Sequence, residues 1–357
     1  METTFVKQFI WSLGVFAMIF LWTNVLWDYS GELVHKIGSS QVAAVAEVVK
    51  EAPFKAKETP LLLPLPPIKL AFVGDIMLDR GVKYSVNKNF SSDYGELFSK
   101  VKDQLVGYDL LFGNLEGPVS DKGNDGGNLY SFRMNPKVIP VLKEAGFDIV
   151  SVANNHIFNW GQKAFEDTLV RLSAEQISYV GGGFTGTEAY QEKILDVKGV
   201  KIAFLAFSEF KDGAVTSTST KAGIALISDV EIRNSVSRAR SEADLVIVSF
   251  HFGDEYELEP NKAQKKHAEL SMDSGADLVI GSHPHVVQKV GQYKNAYITY
   301  SLGNFIFDQN FSPETMQGGL LEVEVNLNTK LIEKVNLKKV LLNNKFQIES
   351  IILPNRP

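Results

Sequence analysis

Five apolar runs in this chain each end in Asp, Asn, Glu or His, and helix-like segments lie between most of them. LAFVGDIMLD carries Asp75 and Asp79, LLFGNLEG carries Asn114 and Glu116, and FDIVSVANNH carries Asn155 and His156. DLVIVSFHFGDE ends in His251, and DLVIGSHPH ends in His283 and His285. A short apolar run bounded by turn residues reads as a buried strand. Strands alternating with helices build α/β sheets, which bind ligands at the carboxyl ends of their strands. Five such ends gather nitrogen and oxygen donors at one sheet edge, and that donor chemistry suits a divalent metal.

The rest of the pattern extends this reading. IKLAFVG, DLLFGN, FDIVSVANN, ISYVGGG, DLVIVSFHF and DLVIGSH are expected strands. YGELFSKVKDQL, PKVIPVLKEAG, QKAFEDTLVRLSAEQ, SDVEIRNSVSRARSEA and NKAQKKHAELSMDSG are expected helices. KILDVKGVKIAFLAFSE reads as a hairpin turning at Lys198-Gly199. Near the C-terminus, NAYITYSLGNFIF, GGLLEVEVNLNT and LIEKVNLKKVLLNN alternate with period two, as antiparallel strands do. An α/β (α+β) chain of this kind implies a mixed sheet, or two stacked sheets with helices outside.

The N-terminus carries a different signal. From Phe9 to Trp27 there is no charged residue, over about the length of one membrane span, roughly 20 residues. Lys7 precedes this run while Asp28 and Glu32 follow it, which by the positive-inside rule leaves the remainder outside the cytoplasm. The expectation is a cytoplasmic segment at 1–8, a transmembrane signal anchor at 9–27, a Pro-rich extracytoplasmic linker at 28–67 and a folded domain at 68–357. The protein would then be single-pass in the cell membrane, with the lipid bilayer as a partner. A cleaved signal peptide is the rival reading.

Composition excludes several functions. The chain has 357 residues, a net charge of −6 and no basic block, so nucleic acid is not an expected partner. It has no cysteine, which removes disulfides, zinc–thiolate sites and a cysteine nucleophile. There is no Gly-x-Ser-x-Gly elbow and no Walker loop, and Gly181-Gly182-Gly183 lacks the dinucleotide fingerprint.

Each motif also has an ordinary structural reading. Asp75 could be a capping aspartate, and His251 taken alone could be a satisfied core histidine. In GSHPH, Pro284 is expected to hold the segment extended, so that His283 and His285 fall on one side. Asp79, Glu255, Asn304 and Asp308 are candidates for substrate contact or for orienting a metal-bound imidazole. His267 reads as a solvated residue of a Lys-rich helix.

Taken in order, GDIMLDR, GNLEG, SFRMNP, ANNHIFNWG, VGGG, HFGDEYE, GSHPHVVQ and YSLGNFIFD resemble the CapA family, the poly-gamma-glutamate capsule synthesis proteins. That family is similar to the calcineurin-like metallophosphoesterases, and the resemblance covers about residues 68–310. It implies a four-layer αββα sandwich of two mixed sheets flanked by helices. It also implies one or two divalent ions (Mn, Fe, Zn or Mg). By position, Asp75 matches the first metal aspartate, Asn114 or else Glu116 the bridging carboxylate, and Asn155 a metal asparagine. His251, His283 and His285 match the metal histidines, and His156 the histidine that stabilises the leaving group. Met77 stands where the phosphoesterase motif has histidine, and Asn114 where it has aspartate. Two functions follow from the resemblance. One is a membrane-anchored protein of capsule synthesis or export that hydrolyses a phosphoester or amide. The other is a non-catalytic accessory subunit that binds anionic polymer and membrane synthase subunits through the inherited cleft.

Overall fold

The computed structural model describes residues 66–353, and two β-sheets packed face to face form their centre. In chain order the strands begin with β1 (Ile68–Ile76), β2 (Leu110–Leu115), β3 (Phe147–Ser151), β4 (Ser178–Val180) and β5 (Gly182–Gly183). Next come β6 (Lys193–Val197), β7 (Val200–Ser208), β8 (Ala214–Val215), β9 (Gly223–Ala225), β10 (Leu245–His251) and β11 (Leu278–Ser282). The last are β12 (Val290–Tyr293), β13 (Ala296–Thr299), β14 (Asn304–Ile306), β15 (Gln317–Val325), β16 (Ile332–Leu342) and β17 (Ile348–Ile352). The longer helices are α1 (Arg80–Asn89), α2 (Val138–Glu144), α3 (Gly161–Ala174), α4 (Asp229–Glu242) and α5 (Lys262–Asp273).

The first sheet runs β17-β16-β15-β1-β2-β3-β4, with β14 also on β1. Strands β1 to β4 are parallel and β15 to β17 antiparallel, so the sheet is mixed. The second sheet runs β12-β13-β11-β10-β7-β6 and is mixed as well. A small third sheet joins β5, β9 and β8.

Side-chain alternation builds the layers. Along β10, Leu245 and Ile247 enter the core shared with Leu70, Phe72 and Phe112 of the first sheet. Their neighbours Val246, Val248 and Phe250 face the other way, onto Ile232 and Val236 of α4 and Ala268 of α5. The first sheet does the same on its outer side, where Val73 and Leu111 join Val138 of α2 and Phe165 and Leu169 of α3. A strand covered on both faces reads as a continuous apolar run, which explains the runs in the sequence. The order helix, sheet, sheet, helix is the expected sandwich.

Three local expectations change. The apolar stripe at 94–105 is buried, but it winds as a 3-10 turn at Tyr94–Leu97 and a separate short turn at Lys102–Leu105, not as one helix. Helix α1 had no clear sequence signal. Asp79 makes no side-chain cap there; instead the Asp308 carboxylate accepts the Gly81 N–H at 2.9 Å from 227 residues away. Strand β13 pairs in parallel with β11, although its alternation suggested an antiparallel partner alone.

The N-terminal transmembrane helix is also corrected. Among the described residues no helix is long and apolar enough to cross a membrane. The longest, α3 and α4, have 14 residues each. A helix of that length spans about 21 Å, short of a hydrocarbon core of about 30 Å. The run at 9–27 lies outside the described residues. The membrane anchor, the single-pass extracytoplasmic location and the bilayer partner are therefore not upheld.

Candidate metal centre

Strand register sets the first row of polar residues. Asp75 of β1 pairs with Asn114 of β2 on one side and with Asn304 of β14 on the other. This works because β15 follows β1 only as far as Val73 and β14 takes over at Asp75. In the second sheet, Ser208, His251 and Ser282 form a comparable row. The rows meet where Asn114 Nδ2 lies 3.2 Å from His251 Nδ1.

Around His251 the hydrogen bonds close on themselves. Its Nδ1 faces the Asn114 amide and, at 3.0 Å, Ser282 Oγ. Its Nε2 lies 2.9 Å from Asn155 Oδ1. Asn114 Nδ2 also donates to Asp75 Oδ1 at 2.8 Å, and Ser282 Oγ also donates to the Phe250 carbonyl at 3.2 Å, so both ring nitrogens belong to a shared hydrogen-bond network. Both nitrogens of His251 are engaged, as is the Asn155 oxygen. Sequence reasoning placed both as metal ligands, and the structure brings the two candidate ligand atoms, His251 Nε2 and Asn155 Oδ1, side by side.

The neighbouring cluster is different. Glu116 is fully buried, and its Oε1 has no hydrogen-bond partner. His285 Nε2 lies 3.7 Å from that oxygen and His156 Nε2 3.9 Å. His285 Nδ1 faces two acceptors, Asn304 Oδ1 at 3.0 Å and Asp75 Oδ2 at 3.3 Å, so it carries the ring proton. His156 Nδ1 faces Asn159 Oδ1 at 2.9 Å, an oxygen that also accepts the Phe132 N–H at 3.0 Å. It too carries the proton. Both Nε2 atoms therefore converge on one carboxylate oxygen, and His156, which burial keeps neutral, turns a lone pair toward it, an arrangement that a cation or a shared proton relieves.

Electrostatics agree. Burial, with the charge of Asp75, pushes the Glu116 carboxyl well above its usual range. Burial also works to raise Asp75, but the His285 imidazole and the bonds from Asn114 and the His283 N–H hold it low. Desolvation lowers His156 to about 4 and His283 to about 3, and takes His251 well down. Neutral imidazoles are the form that ligates metal. Two groups, Asp75–Glu116–His285 and Glu255–His283–His285, hold donor atoms within 4.8 Å of one another. His283 Nδ1 is a second buried atom without a partner. The orphaned atoms and the mixed N/O donor set both fit a divalent cation.

The GSHPH segment is not extended. His283 has φ +98° and His285 φ +59°, a region that side-chain-bearing residues seldom occupy. The tight turn, and not strand alternation, brings both rings to the cleft. Such backbone persists only where its surroundings enforce it, as at functional sites.

The remaining candidates separate. Asp79 accepts the Arg133 N–H at 2.9 Å and pairs with Lys83 Nζ at 3.4 Å. Asp308 caps α1 and pairs with Arg80 Nε at 3.1 Å; it orients no histidine. Asn304 does orient one, His285. Glu255 is exposed and lines a cavity of about 210 Å³ beside His156, His285, Arg80, Phe132 and Asp308. A larger cavity of about 480 Å³, near Tyr179 and Glu188, carries no imidazole. Met77 is fully buried in the apolar core, where its sulfur accepts the Asp79 N–H at 3.2 Å. Gly181 has φ +80°, and a Cβ there would strike Ala153 and Ala206, so this glycine run serves close packing. His267 is mostly covered rather than solvated, 3.6 Å from Asp229.

One residue that sequence reasoning missed is Asn154. It is buried, donates to Asn114 Oδ1 at 3.2 Å and to the Leu115 carbonyl at 2.9 Å, and accepts the His156 N–H at 3.2 Å. The doubled asparagine in ANNH is its signal in the sequence.

Two mixed sheets face to face, with carboxylates and imidazoles gathered at their strand ends, define a metallophosphoesterase-like sandwich. A candidate 5'-nucleotidase from Staphylococcus aureus shares the fold, with a TM-score of 0.50 at 15% identity over 79% of this chain and 56% of that one. The family described as "Bacterial capsule synthesis protein PGA_cap" matches residues 69–309. The chain is 34% identical to the capsule biosynthesis protein CapA of Bacillus anthracis, over 80% of this chain and 69% of that protein. It is 32% identical to the PGA biosynthesis protein CapA of Bacillus subtilis, over 73% and 68% respectively. The chain belongs to the PGA_cap family of bacterial capsule synthesis proteins.

Proposed function

We propose that this protein is a non-catalytic accessory subunit of poly-gamma-glutamate capsule synthesis, whose cleft holds one divalent cation and binds the anionic polymer beside the synthase subunits. The observation that carries the reading is the buried Glu116 Oε1, without a hydrogen bond and faced by two imidazole nitrogens. Glu116, His156 and His285 would hold the ion, with Asp75 and His283 beside them. Mn, Fe or Zn suits this donor set better than Mg, which prefers all-oxygen coordination. When bound, the ion supplies a fixed positive charge for a polymer carboxylate.

Several features favour binding over hydrolysis. A two-ion site clamps both the attacking and the leaving oxygen. Here Met77 lies in the core, Asn114 directs its amide at Asp75 at 2.8 Å, and His251 has no free nitrogen. Three of the positions that a second ion would draw on thus make other contacts. The test uses the purified full-length chain with poly-gamma-glutamate and bis-p-nitrophenyl phosphate. The expected result is polymer binding that needs Mn and is lost with chelator, and no phosphodiester turnover above that of Mn alone. Metal-independent polymer binding, or clear turnover that Glu116→Gln abolishes, would overturn the reading.

A further inference from the structure

The cavity beside the imidazoles has a second pair of groups that nothing above uses. Arg80 opens α1 with a positive φ of 49°. Its Nε binds Asp308 Oδ2 at 3.1 Å. Its guanidinium carbon lies 5.6 Å from the Tyr130 ring centre and 5.2 Å from that of Phe132. Two aromatic faces and one carboxylate fix the fork while leaving its Nη atoms without a hydrogen bond among the described residues. An aromatic-backed guanidinium is well placed to receive a carboxylate bidentately.

Asp308 supplies the complementary half. Its side chain is only 7% exposed. One oxygen takes both the Gly81 N–H and Arg80 Nε, and the other, Oδ1, is buried with no partner. A buried carboxylate oxygen left unpaired is costly unless a donor arrives. Both residues line the same cavity. The pair thus offers a cationic fork and an unpartnered acceptor side by side.

We infer that Arg80 and Asp308 read a single residue of an amide-linked chain whose carboxylate and amide N–H sit on the same carbon. Arg80 takes the carboxylate and Asp308 Oδ1 accepts the N–H. This inference rests on the polymer-binding reading and specifies its ligand. A gamma-linked glutamate residue has this arrangement, because its alpha-carboxylate stays free next to its amide nitrogen. An alpha-linked chain uses that carboxylate in the amide bond and cannot make both contacts except at its end. At about 210 Å³ the cavity is smaller than the roughly 300–1,000 Å³ of ordinary ligand pockets, so it admits one residue or a chain end.

The test measures binding of gamma-linked and alpha-linked triglutamate, both with amidated C-terminal carboxylates, to the full-length protein loaded with Mn. Wild type should prefer the gamma-linked form by about tenfold or more, the scale of one charge-assisted contact. Arg80→Gln and Asp308→Asn should each remove that preference, with Mn stoichiometry unchanged. Arg80→Lys, which keeps the charge but not the fork, should lose most of it. If Arg80→Gln or Asp308→Asn folds poorly, by its thermal midpoint, Arg80→Lys decides the matter. Equal binding of the two peptides by wild type, or an undiminished preference in Arg80→Lys, overturns the inference. Long polymer that still binds in a Mn-dependent way then leaves the accessory reading standing. Loss of polymer binding altogether sinks both.

Discussion

The two halves of the cleft use the same residue types and reach opposite states. Around His251, the side chains of Asn155, Asn114 and Ser282 lie within hydrogen-bond distance of its two ring nitrogens. Around Glu116, the Nε2 atoms of His156 and His285 converge on Oε1, which has no hydrogen-bond partner. Buried polar atoms nearly always find partners, so an unpaired carboxylate oxygen faced by two imidazoles is a place that an ion would complete. The lesson is that residue identity alone does not tell a ligand from a structural histidine. The neighbours of each ring nitrogen bear on which one can ligate, and they differ between the two clusters.

The largest expected effect is at His285. His285→Ala removes a nitrogen facing Glu116 and should weaken Mn affinity by more than the roughly 10–100-fold typical of orienting residues. Thermal stabilisation by Mn should vanish with it, since an ion that binds only the folded state raises its stability. Titration of both proteins with Mn, followed by melting with and without chelator, checks this. Undiminished Mn stabilisation in the mutant would place the ion elsewhere.

A smaller effect, of the opposite kind, is expected across the cleft. His251→Ala leaves Asn114, Asn155 and Ser282 without their shared partner and should cost about 1–3 kcal/mol of stability. Its Mn content should stay at the wild-type level. Denaturant melts joined to elemental analysis read both quantities. Loss of metal without loss of stability would reverse the comparison.

Met77→His tests whether a second ion site was simply vacated. Met77 fills the core, so an imidazole there would be buried without a partner and should destabilise by on the order of 1–3 kcal/mol. Metal stoichiometry should not rise. A second Mn equivalent in the mutant would mean the position faces the cleft.

The smallest effect lies away from the cleft and serves as a titration control. Burial works to raise the Asp167 carboxyl, but Lys122, Ser120 and Arg171 together hold it down to about 2. A depressed folded-state value contributes stability that is fully present above the unfolded value, about 3.9, and is lost as pH falls. The stability gap between wild type and Asp167→Asn should thus be constant above about pH 5 and close toward pH 2. A gap that persists at low pH would assign the contribution to shape instead of charge.

Much of the fold was legible because two-sided burial writes itself as apolar runs: β1, β2, β7, β10 and β11 are such runs. The residues that gather at the cleft were legible for the same reason, since each ends a run. Their roles were less so. His251 and His285 look alike in sequence, and only the partners Ser282, Asn155 and Asn304 separate them. The cap of α1 comes from Asp308, so no local signal announced that helix. The GSHPH turn was hidden because proline restricts the residue before it toward extended backbone, while tertiary contacts impose positive φ on both histidines. The transmembrane expectation rested on a run outside the described residues, and no described helix supports it.

The central claim is that the cation belongs to Glu116 and the two imidazoles facing it, and not to His251. Elemental analysis and Mn calorimetry on full-length wild type, Glu116→Gln and His251→Gln test this most directly. Glutamine keeps the size of Glu116 but removes its charge. The account predicts about one Mn per chain in wild type and His251→Gln, and an affinity at least ~100-fold weaker in Glu116→Gln. Full metal in Glu116→Gln, or its loss in His251→Gln alone, would contradict it.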